Sequence, residues 1–337
     1  MEKNSLLPHI WNFIRRPAVS LALRVAVSGL LLAYLIHLSA FAGIAAAFGH
    51  IRPVYLLGFF LLYFLSVSLQ SLRWKYLLKE WNVAQKFQIL FRSIMIGLFL
   101  NNFLPGSLGG DLYRLYAGGR DTGKVEAVGA TIFYERIFGY GSLVTLGLIA
   151  LSIGFTFARD WLFLLLLCGA LLGLLTLSAL SSFPAFERLA QRFMDRYSFL
   201  RKLRLTDWLK SFQFKVRRPG MLAGILVLSF LIQLSDMTGF RLVAAALQLP
   251  VSFGDLLLFV PLLYLAILLP LTFNGIGIRE TVFVIFSSRW GIASADAVAF
   301  SLTVFALNLA GSLVGGIIYW FDRPMRGDAM TKTEIQG

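Results

Sequence analysis

The stretch 101-NNFLPGSLGGDLYRLY-116 decides how this chain is read. It gathers two amides, a proline, three glycines, an aspartate and an arginine inside a mostly apolar sequence. A second stretch, 269-LPLTFNGIGIRE-280, repeats that chemistry about 165 residues later. Pro105 and Pro270 cannot continue a helix normally. Gly106, Gly109, Gly110, Gly275 and Gly277 permit positive φ and close backbone approach. Each stretch therefore reads as a break in an apolar segment.

The surroundings set the solvent. Hydrophobic residues make up 58% of the chain and charged residues 14%, whereas a soluble domain carries about a quarter charged residues. Several apolar runs reach about 18 residues, long enough to cross a bilayer. The fold class expected is an all-α polytopic membrane protein. The net charge of +14 fits the collection of Lys and Arg on cytoplasmic loops, and nucleic acid is not expected as a partner. Cys168 is the single cysteine, so no internal disulfide forms, and His9, His37 and His50 have no ligand spacing. No phosphate-binding loop with a lysine and no metalloprotease or serine-hydrolase motif occurs. Neither a metal nor another cofactor is expected, and no catalytic residue is assigned.

Charge bias orients the segments. Residues 1–18 are basic and are placed in the cytoplasm, and 19–38 form the first span. A span at about 54–72 leads to a basic stretch, 73-RWKYLLKEWNVAQKF-87, read as a helix along the interface. Spans follow at about 125–153 and 161–181. The segment 184–218 has ten basic and three acidic residues. Its Arg188, Arg192 and Arg196 flank an apolar stripe, as in a helix resting on anionic headgroups at the cytoplasmic face. Further spans are expected at about 220–246 and 296–321, with a polar cytoplasmic tail at 322–337.

All the basic blocks fall on one side only if 88–120 and 254–290 dip in and return to the side they came from. The chain then reads as about six full transmembrane helices plus two re-entrant hairpins. They form two inverted-topology repeats, 19–156 and 157–321, whose hairpins enter from opposite faces. In such folds, broken segments meet near the midplane and build a substrate site.

Irregular backbone survives in a bilayer only where protein covers it or a wet cavity faces it. Helices restarting after the glycine clusters would aim N–H groups at an anion, so Gly106, Gly109, Gly110, Gly275 and Gly277 are candidate anion-binding turns. Arg114 and Arg279 lie just beyond, and guanidinium pairs well with phosphate. Asp111 and Glu280 balance their charge, and Asn101, Asn102 and Asn274 offer amide hydrogen bonds. Glu135, Arg136, Asp236 and Arg241 are further ionisable residues inside spans, where such groups face a cavity or a partner. All are candidate translocation residues. The same charges can also act as helix staples or interface anchors with no ligand.

The motifs 104-LPGSLGGDLYR-114 and 273-FNGIGIRE-280, with 135-ER-136, resemble the flippase-like membrane family that includes the transmembrane part of lysyl-phosphatidylglycerol synthases. The resemblance spans about 20–322. It implies lipid translocation in the bacterial cytoplasmic (inner) membrane, with an anionic or zwitterionic phospholipid, or a lipid-linked phosphate, as substrate. It does not imply lipid aminoacylation, because the soluble transfer domain of the synthases has no counterpart in this sequence. An intramembrane enzyme acting on a lipid-linked phosphate or sugar, and a scaffold for a lipid-modifying enzyme, are the alternatives. A homodimer is left open.

Overall fold

The computed structural model describes residues 52–102, 108–152, 161–182, 219–268 and 277–321. The first span, Pro105, Gly106, the basic segment 184–218 with Arg188, Arg192 and Arg196, Pro270, Asn274, Gly275 and the tail lie outside them. The described residues form nine α-helices and no strand. In chain order these are α1 (Pro53–Glu80), α2 (Phe87–Asn101), α3 (Leu108–Thr122), α4 (Val125–Ser152), α5 (Trp161–Ser182), α6 (Pro219–Ala246), α7 (Phe253–Leu268), α8 (Ile278–Trp290) and α9 (Ser294–Phe321).

α1, α6 and α9 are long and apolar enough to cross a membrane. Their outward faces carry exposed large side chains, such as Val54, Leu57, Leu61 and Leu65 on α1 and Leu313, Ile317 and Trp320 on α9. Apolar stripes of that size mark contact with a partner or a membrane. Lipid tails are as apolar as leucine, so helices in a bilayer associate by close packing rather than by hydrophobic burial. Glycines supply that approach here. A Cβ on Gly58 would lie 2.9 Å from Leu242, and one on Gly311 would lie 2.8 Å from Tyr63. A Cβ on Gly315 would strike the carbonyl of Met95.

α1 and α6 run antiparallel along their whole length. The Arg52 N–H donates to the Ala246 carbonyl at 3.0 Å, Phe59 meets Gly239, and Tyr76 meets Gly224. Two of these contacts correspond: Gly224 lies 166 residues after Gly58, and Leu242 lies 166 after Tyr76. The correspondence extends to the helices around them. α1 to α4 have 28, 15, 15 and 28 residues. α6 to α9 have 28, 16, 13 and 28. Exchanging the two quartets maps the main helix contacts onto one another: α2 with α9 becomes α7 with α4, and α3 with α4 becomes α8 with α9.

The α2–α3 pair returns to the end of α1 that it left, because the Lys124 ammonium donates to the Asn82 carbonyl at 3.1 Å. One expectation is corrected. Residues 73–80 do not lie along an interface but continue α1. Trp74 and Leu77 are fully buried, and Arg73 is 7% exposed. Trp74 explains this, since its indole N–H bonds Thr131 on α4 at 3.0 Å and ties the segment into the bundle.

Candidate functional site

A cavity of about 240 Å³ opens between α1, α2, α3, α4, α6 and α7. At about 30 Å³ per liquid water that is room for roughly eight waters, or a phosphate-sized group with some of its hydration. Its wall contains Arg73, Arg114 and Arg136 together with Asp111, Glu135 and Asp236. Three cations thus face three carboxylates. Gln70, Asn101, Tyr140, Gln233 and Tyr264 add neutral polar groups.

The charges form a chain across three helices. Arg73 on α1 reaches Glu135 at 3.7 Å and donates to Ser229 on α6 at 3.1 Å. Glu135 on α4 pairs closely with Arg114 on α3, and Arg114 lies 3.7 Å from Asp111, one turn away. Asp111 accepts from Arg136 Nε at 2.8 Å. The Arg114 guanidinium also sits over the Trp74 ring, 3.9 Å from its centroid, an arrangement that holds a cation without using its donors. Removing one partner of so buried a pair costs about 3–5 kcal/mol, because the other charge is left uncompensated. The network is not saturated: the Nε groups of Arg73 and Arg114 are buried and have no acceptor among the described residues. At the open end, the Arg136 side chain is 37% exposed and that of Asp111 is 23% exposed.

Gly110 and Gly277 take the backbone forms expected of them, close approach at one and positive φ at the other, and their N–H groups are held within the protein. α3 begins at Leu108, so Gly109 and Gly110 lie inside its first turn. A Cβ on Gly110 would be 2.6 Å from the carbonyl oxygen of Gly97 on α2, so this glycine lets two backbones touch. Its N–H is also occupied, donating to Asn101 Oδ1 at 2.7 Å. Gly277 precedes α8 with φ of 89°, a conformation suited to glycine. Its N–H donates to Glu280 Oε2 at 2.6 Å. In both places the protein's own side chain occupies the N–H expected to hold an anion.

Arg279 and Glu280 are not brought to the cavity. Glu280 is fully buried and accepts from Arg279 at 2.8 Å and from Ser301 at 3.0 Å. Arg279 also donates to Ser301 and covers the Phe305 ring. This is a second, self-contained cluster joining α8 to α9. Arg241 lies on α6 outside the cavity wall, and Asn102 bonds Ser312 on α9 at 2.8 Å instead of facing the cavity. Asn101, Gly110, Asp111, Arg114, Glu135, Arg136 and Asp236 are brought together as one wall. Sequence reasoning missed Arg73, whose signal was its position one turn after Gln70 in an unbroken helical pattern. The uncharged Gln70, Tyr140, Gln233 and Tyr264 carried no comparable mark. Among the described residues no group of three His, Cys, Asp or Glu could hold a metal ion.

A helical chain with membrane-crossing segments and a buried ionic cavity is a multi-pass integral membrane protein. The chain belongs to the family described as "Lysylphosphatidylglycerol synthase TM region", whose model matches residues 21–316. It is 25% identical over 279 residues to the UPF0104 membrane protein MJ1595 of Methanocaldococcus jannaschii, covering 74% of this chain and 79% of that protein. It is 27% identical over 133 residues to the UPF0104 membrane protein PH1989 of Pyrococcus horikoshii, covering 39% of this chain and 40% of that relative's length. No solved structure matches it.

Proposed function

We propose that this protein is a lipid flippase that carries a phospholipid or lipid-linked phosphate headgroup between leaflets of the cytoplasmic membrane of a bacterium. The observation carrying this reading is the ionic wall of the cavity, with its incompletely satisfied guanidiniums and an accessible Arg136–Asp111 pair. A phosphate entering there meets Arg136 first. It exchanges with the Asp111 carboxylate, whose other oxygen already faces Arg114. Guanidinium binds phosphate in two parallel hydrogen bonds, so the exchange replaces one charge-assisted contact with another. An amine on a zwitterionic headgroup meets Asp111. The acyl chains stay in the bilayer.

The geometry of movement follows from the two quartets. In this reading they are inverted repeats, and the exchange of helix contacts and the antiparallel α1–α6 pair support it. α2 and α3, at 15 residues each, reach about 22 Å at 1.5 Å per residue, short of a hydrocarbon core of about 30 Å. They act as a re-entrant hairpin, and α7 with α8 as its counterpart. Rocking of one quartet against the other exposes the cavity to each side in turn. No chemical step is required, no cofactor takes part, and both termini face the cytoplasm.

The test is transfer of fluorescent phosphatidylglycerol in vesicles containing the purified protein. Faster transfer than in protein-free vesicles is expected, with a slower rate for Arg136→Ala. Equal rates with and without protein contradict the reading.

A further inference from the structure

Asp236 lies well inside α6, and the position 166 residues before it is Gln70 on α1. The offset is the one relating Gly58 to Gly224. A carboxyl and a carboxamide thus occupy corresponding places in the two quartets, one on each helix of the antiparallel pair. A second cavity, about 140 Å³, lies nearer the start of α1 and is lined by Tyr63, Ser66, Ser235 and Asn308. Gln70, Leu98, Asp236 and Tyr264 line both cavities. On α1 the second cavity meets residues 59–70 and the first meets Gln70 and Arg73. The two are therefore stacked along the helix axis, with Asp236 at their junction.

The carboxylates of the two clusters divide sharply. Asp111, Glu135 and Glu280 each hold an arginine. Asp236 has no ion pair among the described residues. Ser66 faces it across the second cavity, and the Ser66 oxygen accepts from Gln70 Nε2 at 3.2 Å. The other groups that face it are Tyr63 and Arg73 on α1 and Tyr264 on α7. Across the first cavity stand Glu135, Arg136 and Tyr140 on α4, and Asp111 and Arg114 on α3. α9 contributes the neutral Asn308. Arg73 is engaged by Glu135 and Ser229.

We propose that Asp236 is an exchangeable-proton site, reached from both cavities, that couples headgroup movement to a proton gradient. The coupling rests on the flippase reading; the proton site does not. An O–H bond forms at an Asp236 carboxylate oxygen with a proton delivered by water in one cavity. The same bond breaks when the proton passes to water in the other, and no electrons are exchanged. With Asp236 ionised, the three arginines and three carboxylates of the first cavity sum to zero. With Asp236 protonated, the wall carries one net positive charge, and a phosphate is attracted. Proton uptake thus loads an anionic headgroup and proton loss releases it, so the two travel together. Gln70 cannot exchange a proton in this way, so the corresponding position of the other quartet offers no second site.

Two measurements on the full chain test this. The first is infrared difference spectroscopy during a pH titration in vesicles of phosphatidylethanolamine and phosphatidylglycerol. The wild-type band for protonated carboxyls is expected to contain a component that titrates with pH, is missing in Asp236→Asn and is present in Asp236→Glu. Identical titrating bands in the wild type and in Asp236→Asn overturn the proposal. The second is fluorescent phosphatidylglycerol transfer with a one-unit pH gradient, divided by the rate at symmetric pH. That ratio should change by up to about tenfold in the wild type, fall to one in Asp236→Asn whatever its symmetric rate, and stay high in Asp255→Asn. A wild-type ratio of one, or a ratio unchanged in Asp236→Asn, overturns the coupling. If no lipid moves at symmetric pH, the flippase reading fails, and the infrared band still decides the proton site.

Discussion

Asp111 receives two nitrogens of Arg136 on a single oxygen, Oδ2, while its other oxygen faces Arg114 at 3.7 Å. One carboxylate therefore links the accessible end of the cavity to its buried interior. Because Arg136 and Asp111 are partly exposed, they can separate without leaving a charge in an apolar setting. On the flippase reading, this is the pair that a headgroup opens.

Asp111→Asn should keep the shape of the site and remove the competing charge. Binding of phosphatidylglycerol is expected to tighten while transfer between leaflets slows, because release then lacks a carboxylate to take back Arg136. Lipid-induced thermal stabilisation and vesicle transfer assays measure the two effects separately. Weaker binding and unchanged transfer would show that Asp111 does not compete with the headgroup.

The inner pair behaves otherwise. Arg114→Met or Glu135→Leu alone leaves a buried partner uncompensated and should destabilise the protein by about 3–5 kcal/mol. The double variant Arg114→Met/Glu135→Leu should be less destabilised than the sum of the singles, since charge is removed in pairs. Thermal unfolding in one detergent across the four proteins checks this. Additive losses would mean the two side chains do not interact.

Gly110→Ala should impair folding, because its methyl would press on the Gly97 carbonyl at 2.6 Å; overpacking typically costs about 1–3 kcal/mol. Gly173→Ala on α5 meets nothing within 4 Å and should stabilise by up to about 1 kcal/mol through helix propensity. Comparing the yields of folded, monodisperse protein and the melting temperatures separates the two.

Much of this was legible in the sequence. Apolar runs bounded by charges marked α4, α5, α6 and α9 to within a residue or two, because long hydrophobic stretches are unambiguous. Asp111, Arg114, Glu135, Arg136 and Asp236 stood out because ionisable groups in apolar spans are rare. Arg73 did not, since it opens a basic stretch and read as the edge of a span. Its burial depends on Trp74 and Thr131, 57 residues apart, a tertiary contact invisible to local pattern. Which glycine would serve which purpose was not legible, for a related reason. Positive φ and tight helix packing use the same residue, and only the partner helix tells them apart. Arg279 and Glu280 looked like a mirror of Asp111 and Arg114, yet Ser301 on a neighbouring helix closes them into their own cluster.

The inverted arrangement proposed for the two quartets predicts sidedness. In a Cys168→Ser background, single cysteines at Asn82 and Lys124 should be labelled from one face of the membrane. Cysteines at Gln248 and Gly291 should be labelled from the other. All four are exposed at helix ends. Labelling of Asn82 and Lys124 from opposite faces would mean that α2 and α3 do not return to the side they left.

The most direct test of the central claim is photo-crosslinking with a phosphatidylglycerol that carries its reactive group on the headgroup. Occupation of the cavity predicts adducts within residues 132–143 and 232–236, diminished in Arg136→Ala. Adducts confined to the outward face of α9 around Leu313 to Trp320, at a yield indifferent to Arg136, would contradict it.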